Sequence, residues 1–481
     1  MAAITLRLMK KRYPEMTSNR KQHKNTPYGA YYKTDIPSHD PELTHTDRGT
    51  PMGEYLRCHW QPICLSEQLT DVPLAIRIMG EDLVVFRDGA SQIGLFQRHC
   101  CHQCTSLEFG IIQSKGIRCC LHGWVFDVDG TVIETPCEPA GSRLKETVCQ
   151  GAYPAFERDG LVFAYMGPPE DKPPFPDFDT YHRPQGNKLV ALSAHYECNW
   201  LQVMENIMDH DHVKILHNPR MISVGGSEET GATDYAAPMG FTEDAAVDYY
   251  PTRDGRGVCF VACRRNSDNE TVWVRIVEAI FPNHLQIGST FPSARRERRS
   301  QTVWTRWHVP IDDTNMLVIG WRHFNDEVDP DHCGREEDCG FEKLDFLEGV
   351  TGDRSYEEAQ RAPGDYEAMI GLRPIAVHAL ENPGASDKGV YLTRKLLREI
   401  LAGKTPMHAS LEVNDTSSSR LHTYTQDSVL YAPPEKGQDD IKLMRALRRK
   451  VLDLMAEADR VPSAEREAYI RARMDRMDGE R

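Results

Sequence analysis

The chain lacks several features that would each assign it to a broad class of proteins. It has no run of eighteen apolar residues, so we expect no membrane-spanning helix. It has no Gly-x-Gly-x-x-Gly loop, so we expect no nucleotide site of its own. Basic residues are outnumbered by acidic ones, 57 to 72, and the net charge of −15 disfavours nucleic acid as a partner.

Cysteine, by contrast, is plentiful, with fourteen residues in a chain of 481. Disulfides are not the expected use, because we see no export signal and the cysteines cluster in a pattern typical of metal ligands. We therefore expect a cytoplasmic protein. The length is sufficient for two or three domains.

Two short loops carry the most specific signal. Cys100 and His102 are followed, after sixteen residues, by Cys119 and His122, which gives the pattern C-x-H-x16-C-x2-H. Two thiolates and two imidazoles in matched pairs are the ligand set of a Rieske [2Fe-2S] cluster, in which histidines replace cysteines on one iron. Such a cluster has a potential of roughly −150 to +300 mV and transfers one electron at a time.

A zinc site is the alternative for this segment. Cys101 and Cys104 form a C-x2-C pair that could bind zinc together with Cys119 and His122. Against zinc, Gly123 allows close approach of the backbone to a cluster, and the alternating residues after it lead into a hairpin at Asp129-Gly130. The sequence favours the cluster.

The segment resembles the Rieske domains of aromatic-ring-hydroxylating oxygenases, whose pattern is similar to C-P-H-R…C-x-Y-H-G-W. The resemblance implies that Cys100, His102, Cys119 and His122 bind the cluster. The chain departs from the pattern at Cys101, Gln103 and Cys120, which replace proline, arginine and proline.

A second candidate site lies between residues 199 and 217, where apolar residues recur at helical spacing, at Leu201, Met204, Ile207 and Met208. The polar stripe of this predicted helix carries Asn206 and Asp209. Histidines follow, and two histidines with one carboxylate form the facial triad of non-haem Fe(II) oxygenases. On an ideal helix His210 and His217 share a face, whereas His212 and His217 diverge by about 140°.

The resemblance favours a different pair. Catalytic domains of this family resemble E-N-x2-D-x2-H-x4-H, which implies that His212 and His217 bind the iron and that the helix ends or distorts near His217. His210 is then a surface or supporting residue. The third ligand implied by the resemblance is Asp365, in a Gly-Asp-Tyr-Glu-Ala run after a Pro-Gly turn.

Asp209 precedes His212 by three residues, and its carboxylate could accept a hydrogen bond from that imidazole and orient it. Similar family members are homotrimers in which the equivalent aspartate meets a cluster histidine of the neighbouring subunit. The resemblance thus implies that His122 of one subunit faces Asp209 of the next and that electrons cross between chains there. It also implies that Asn206 and Asp209 are catalytic residues.

Strand-like runs at residues 83–86, 161–165, 258–261, 271–276, 302–307 and 316–319 predict an α+β fold. The resemblance implies an N-terminal antiparallel-β Rieske domain followed by a helix-grip (START-like) catalytic domain. We predict a flexible arm over residues 1–50, the Rieske domain over 51–178, the catalytic domain over 179–405 and a charged, partly helical extension over 406–481. The apolar face of that extension, Leu443, Leu447, Val451 and Leu454, predicts packing between subunits.

The function implied is that of an oxygenase component. Electrons from a separate NAD(P)H-dependent reductase or ferredoxin pass through the cluster to mononuclear Fe(II), which activates O2 to hydroxylate or O-demethylate an aromatic substrate. The resemblance is strongest to phthalate 4,5-dioxygenase-like and aryl O-demethylase-like members, so ring cis-dihydroxylation remains open. A Rieske electron carrier without mononuclear iron and a zinc-binding structural protein are the alternatives from other classes.

Overall fold

The structure is a computed structural model, and it describes residues 26–33, 35–216, 246–252, 255–266, 268–289, 298–343, 354–361, 363–406, 420–434, 436–437 and 439–479. Two compact units are distinguished. The first comprises Met1–Asp40 and Val377–Asn382, and its described part contains the 3₁₀ turns Gly29–Tyr32 and His378–Leu380. The second comprises Pro41–Ala376 and Pro383–Arg481 and contains both candidate sites. His217 lies outside the described residues.

The N-terminal part of the second unit consists of small antiparallel sheets, as predicted. Its strands form the orders β1-β11-β10, β2-β3-β4-β9 and β5-β6-β7-β8. The strands are β1 Gln61–Leu65, β2 Leu74–Ile78, β3 Glu81–Arg87, β4 Ile93–Gln97, β5 Ile111–Ile112, β6 Ile117–Arg118, β7 Val125–Phe126, β8 Val132–Glu134, β9 Ala152–Tyr153, β10 Ala155–Arg158 and β11 Leu161–Ala164. Edge-to-face contacts of Phe96 with Phe86 and Phe126 fill the core beside the two cysteine loops.

The rest of the second unit is built on one nine-stranded antiparallel sheet. Its order is β12-β19-β18-β16-β15-β14-β13, and β20 pairs with β15 and β17. The strands are β12 Lys188–Tyr196, β13 Ala246–Thr252, β14 Gly257–Arg265, β15 Thr271–Ile280, β16 His284–Gly288, β17 Arg299–Ser300, β18 Thr302–Asp312, β19 Asn315–Phe324 and β20 Gln426–Tyr431. This sheet contains the strands predicted from the runs at 258–261, 271–276, 302–307 and 316–319.

Helices pack around these sheets. They are α1 Pro41–Thr44, α2 Pro51–Arg57, α3 Trp200–Ile207, α4 Val213–Leu216, α5 Tyr356–Arg361, α6 Asp365–Ile370, α7 Lys388–Leu401, α8 Asp440–Ala458 and α9 Ser463–Gly479. The 3₁₀ turns are Ser66–Gln68, Leu107–Phe109, Leu144–Glu146, Pro169–Asp171, Asp179–Tyr181, His210–His212 and Glu336–Asp338. Among the helices of the described residues, none is both long and apolar enough to cross a bilayer.

Both faces of the large sheet are covered by other parts of the chain. Successive residues of a strand point to opposite faces, so each strand contributes to two cores. In β14, one set of alternate residues joins the core that contains α3 and α7, namely Val258, Phe260 and Ala262. The other set joins a separate core with α8 and α9, namely Cys259, Val261 and Cys263. The predicted apolar face of α8 exists, with Leu447, Val451 and Leu454 buried. It covers the sheet of its own chain, so its assignment to packing between subunits is wrong.

Charged groups hold α9 to the sheet. The Glu467 carboxylate accepts hydrogen bonds from Arg299 Nε at 3.1 Å and lies 2.7 Å from Arg471 Nε. Burial alone would raise the pKa of Glu467, but the guanidinium groups of Arg299 and Arg471 lower it from 4.5 to about 2. The ionised carboxylate is therefore favoured in the folded chain.

A buried ion pair joins α3 to α7. Arg394 donates from Nε and Nη2 to the two carboxylate oxygens of Glu205, both at 2.6 Å. The two side chains are only 6% and 7% exposed. Removing one partner of such a pair leaves the other charge buried without its counter-charge, which strongly destabilises the fold.

We predict that Glu467→Gln lowers stability mainly above pH 4.5. Because the folded pKa is the lower one, the stabilisation is fully present above about pH 4.5 and is lost as the pH falls towards 2. The difference between the pKa of Glu467 in the folded and unfolded chains corresponds to about 3 kcal/mol of stability at neutral pH. Urea unfolding of both proteins from pH 7 to pH 2.5 measures it. The exposed Glu465→Gln change is the control, and parallel pH profiles for wild type and Glu467→Gln would contradict the assignment.

We further predict that Arg394→Met costs about 3–5 kcal/mol, because it removes the guanidinium that compensates the buried Glu205 carboxylate. The double variant Glu205→Met/Arg394→Met should recover most of the loss, since neither charge remains. Urea unfolding measures both. Arg361→Met, in an exposed pair with Glu357, is the control and should cost less than about 1 kcal/mol. Equal effects of Arg394→Met and Arg361→Met would refute the prediction.

Candidate metal centres

The two cysteine loops lie side by side in the small antiparallel part. Cys100 and Cys119 are 2% and 3% exposed, whereas His102 and His122 are half-buried. The centroids of the two imidazole rings are 4.6 Å apart. The His102 ring stacks on the indole of Trp124, with 4.5 Å between the ring centroids. The thiols thus face the core and the imidazoles lie nearer the surface.

The two loops share one backbone construction. In the first, Cys104 N–H donates to the Cys100 carbonyl at 2.9 Å; in the second, Gly123 N–H donates to the Cys119 carbonyl at 3.1 Å. The residue that closes each turn has a left-handed backbone conformation, with φ of 60° at Cys104 and 73° at Gly123. Arg118 also donates to the Gly123 carbonyl at 2.9 Å. Each loop is therefore a closed turn that begins at a buried cysteine.

This arrangement fits a Rieske cluster better than zinc. Structural zinc needs four ligands around one point. In the described part of the chain, no three His, Cys, Asp or Glu side chains are grouped to hold one ion, and Cys101 and Cys104 are exposed. A Rieske cluster needs only two protein ligands per iron. Burial raises the pKa of the Cys100 thiol to about 12, so a bound cation is needed to hold it as thiolate.

Trp124 supports the same fit. Its Nε1 is buried and has no hydrogen-bond partner among the residues that the structure describes. Buried donors normally have partners, so this N–H is left for an acceptor that the described side chains do not provide.

The second candidate site begins at the end of α3. The helix is capped by Asn199, whose side chain accepts from Leu201 N–H, and it stops at Met208. Asp209 has ψ of 79°, a 3₁₀ turn covers His210–His212, and α4 then begins at Val213. The segment predicted as one helix is interrupted, because the break lies at Asp209. The argument from ideal helical spacing for His210 and His217 therefore does not apply. The predicted end or distortion near His217 lies outside the described residues.

His212 and Asp365 come together although they are far apart in sequence. His212 Nε2 lies 3.4 Å from Asp365 Oδ1, and Asn206 Nδ2 donates to the same oxygen at 3.0 Å. His212 Nδ1 contacts the main-chain carbonyl of Asp209, an acceptor that fixes the proton on Nδ1 and leaves the Nε2 lone pair on the side of Asp365. An imidazole nitrogen and a carboxylate in this relation are suitable ligands for ferrous ion.

The roles expected for two neighbouring residues change. The imidazole Nδ1 of His212 contacts the main-chain carbonyl of Asp209, whereas we expected the Asp209 carboxylate to accept from this ring. Burial raises the pKa of the Asp209 carboxyl, while His212 acts to lower it. His210 is not a surface residue: it is 5% exposed, and its ring lies 4.9 Å from that of Phe260.

Two supporting residues were missed in the sequence. Gln202, one turn before Asn206, binds the segment that follows Asp365, and its spacing of four from Asn206 was the available signal. Gly389 of α7 lies so close to Met208 that an added Cβ would be 2.0 Å from the Met208 carbonyl oxygen. No local pattern around Gly389 indicates this approach.

Comparison with known proteins matches two parts of the chain to family models. Residues 59–153 match the family model of the Rieske [2Fe-2S] domain, and residues 164–336 match the model described as LigXa C-terminal domain like. The solved structure of dicamba monooxygenase bound to dicamba is similar in fold, with a TM-score of 0.51 at 16% identity over 73% of this chain and 98% of that one.

Two curated relatives cover most of the chain. The oxygenase subunit of tert-butanol monooxygenase / tert-amyl alcohol desaturase from Aquincola tertiaricarbonis is 48% identical over 94% of this chain and 97% of its own length. The alpha subunit of phenoxybenzoate dioxygenase from Ectopseudomonas oleovorans is 38% identical over 76% of this chain and 86% of its own. The chain therefore belongs to the Rieske non-haem iron oxygenases, as the oxygenase subunit of such a system.

Proposed function

We propose that Cys100, His102, Cys119 and His122 bind the [2Fe-2S] cluster. We propose that His212, His217 and Asp365 bind a mononuclear ferrous ion. The observation that carries the iron site is the approach of His212 Nε2 to Asp365 Oδ1, 3.4 Å apart although the residues belong to different helical segments. When bound, the cluster supplies single electrons and the ferrous ion supplies the site at which O2 is reduced.

The chain's own residues orient that site. Asn206 holds one oxygen of Asp365, and the Asp209 carbonyl holds His212 Nδ1, so two of the three proposed ligands are fixed by residues at the end of α3. We propose that the Asp209 carboxylate faces a cluster histidine of the neighbouring subunit in a homotrimer. The domain limits 51–178, 179–405 and 406–481, the helix-grip description of the catalytic domain, and a separate reductase or ferredoxin as electron donor belong to the same proposal.

For the substrate, we propose a small branched alcohol. The similarity of 48% over nearly the whole chain to a tert-butanol monooxygenase subunit supports it. The reaction would insert one oxygen atom of O2 into a methyl C–H bond, and two electrons and two protons convert the other atom to water. Residues that exclude water and position the alcohol would come from the apolar face of the sheet that shares a core with α3, which includes Phe260.

An aromatic substrate is the second candidate, supported by 38% identity to a phenoxybenzoate dioxygenase subunit. Hydroxylation of a methoxy carbon would release formaldehyde, and attack on the ring would give a cis-diol. The products therefore distinguish the two classes of substrate directly.

Metal analysis tests the proposed ligands. We predict about three irons per chain after anaerobic reconstitution, two in the cluster and one mononuclear. Cys119→Ser should remove the cluster and its electron paramagnetic resonance signal, whereas the adjacent, exposed Cys120→Ser should retain both. His212→Ala should lower the count to about two and leave the cluster signal unchanged.

The other outcomes of this measurement are equally specific. Loss of the mononuclear iron in a His210→Ala variant, with retention in His212→Ala, would reverse the ligand assignment. Two irons in the wild type would identify an electron carrier, and colourless protein with zinc would identify a structural zinc site.

A turnover assay tests the substrate. With a surrogate reductase and ¹⁸O2, we predict that tert-butyl alcohol is converted to 2-methylpropane-1,2-diol with one labelled oxygen. Its kcat/KM should exceed that of phenoxybenzoate or a methoxylated benzoate by about tenfold, a difference of about 1.4 kcal/mol in transition-state binding. Formaldehyde or cis-diol from the aromatic compounds, without diol from the alcohol, would instead establish the aromatic candidate.

A further inference from the structure

Gln202 is a buried polar residue that the proposed reaction does not use. It lies in α3 and is 3% exposed. Its Nε2 donates to the carbonyl of Met369 at 2.7 Å and to that of Arg373 at 3.0 Å, and its Oε1 accepts from Ala376 N–H at 3.0 Å. Both ends of the amide are thus bonded to the main chain of one segment.

That segment is the continuation of α6, the helix that begins with Asp365. Asn206 lies four residues after Gln202, so the two side chains share a face of α3. Asn206 binds Asp365 at the start of α6, and Gln202 binds Met369 near its end. Two amides one helical turn apart therefore attach both ends of α6 to α3.

The short length of α6 makes this attachment important. It has six residues, too few for an isolated helix to be stable in water. Its own contacts include the Glu367 carboxylate, which accepts from Gly364 N–H at 2.8 Å, and the Tyr366 ring, 5.1 Å from Tyr196. The Glu367 contact closes the start of the helix and the Tyr366 contact packs it against the core, whereas the bonds from Gln202 attach it to α3.

We propose that Gln202 is a positioning residue for the mononuclear iron site. By fixing α6 against α3, it sets where the Asp365 carboxylate lies relative to His212 Nε2. The inference rests on the proposed assignment of Asp365 as an iron ligand. It adds a residue that contacts neither metal nor substrate and acts on the site only through the main chain of α6.

The competing explanation is that Gln202 stabilises the fold without any specific effect on iron. Gln61 provides a matched control, because it is also a fully buried glutamine with a bonded amide. Its Nε2 donates to the Leu56 carbonyl at 3.1 Å, and its Oε1 accepts from Asn283 Nδ2 at 2.8 Å. None of its bonds involves α3 or α6, so Gln61→Met imposes a similar loss of buried hydrogen bonds elsewhere.

The test is anaerobic titration of protein depleted of mononuclear iron with Fe(II), together with the electron paramagnetic resonance signal of the nitric oxide adduct. We expect Gln202→Met to weaken Fe(II) binding by about 10–100-fold, the usual effect of removing a residue that orients a ligand. The adduct signal should broaden, because Asp365 is no longer held in one position. Gln61→Met should lose stability and keep wild-type Fe(II) affinity.

Further variants make each outcome decisive. If Gln202→Met does not fold, Gln202→Glu carries the test: it keeps an acceptor for Ala376 N–H, loses both donors and should also weaken Fe(II) binding. Wild-type affinity in a folded Gln202 variant, or equal losses in the Gln61 and Gln202 variants, overturns the inference. Asp365→Ala tests the iron-site assignment separately from the role of Gln202. Wild-type Fe(II) affinity in that variant would refute the assignment of Asp365 as a ligand.

Discussion

The catalytic half depends on satisfying the buried polar face of one eight-residue helix, α3. Gln202, Glu205 and Asn206 are all less than a tenth exposed. Such groups are tolerated in a core only when each has a partner, because an unpaired buried amide or carboxylate costs several kcal/mol. The partners belong to two distant segments: Gln202 and Asn206 bind α6 and its continuation, and Glu205 binds α7. The need to pair these groups therefore brings α6 and α7 to the place of the proposed iron site.

The main-chain break at Asp209 follows from the same packing. Gly389 brings the backbone of α7 against the Met208 carbonyl, and the Glu205–Arg394 pair fixes the two helices side by side. The chain leaves the helical path at this point, which frees the Asp209 carbonyl from a regular helical bond. That carbonyl then accepts from His212 and fixes its tautomer. A departure from regular structure thus creates the contact that orients a proposed ligand.

The features that could be predicted from the sequence are those that depend on residues close together in the chain. The loops at Cys100 and Cys119 and the strands of the large sheet could be predicted, because closely spaced ligands and alternating apolar residues are local properties. The helix break at Asp209 could not be predicted, since it depends on contact with Gly389, far along the chain. The extension after residue 406 was misassigned for a related reason: an apolar helix face shows that it will be buried, but not against which surface.

The opposite placement of thiols and imidazoles in the cysteine loops bears on the direction of electron flow. Cys100 and Cys119 join the core of the small sheets, while His102 and His122 are partly open to solvent. On the proposed ligand set, His102 and His122 would hold one iron of the cluster, and their imidazole edges would be the more exposed exit for an electron. Asp209 is half-buried at the end of α3, where the regular helix stops. The proposed transfer between chains would require that Asp209 and the two imidazoles are not fully enclosed by their own chain, and all three keep some exposure to solvent.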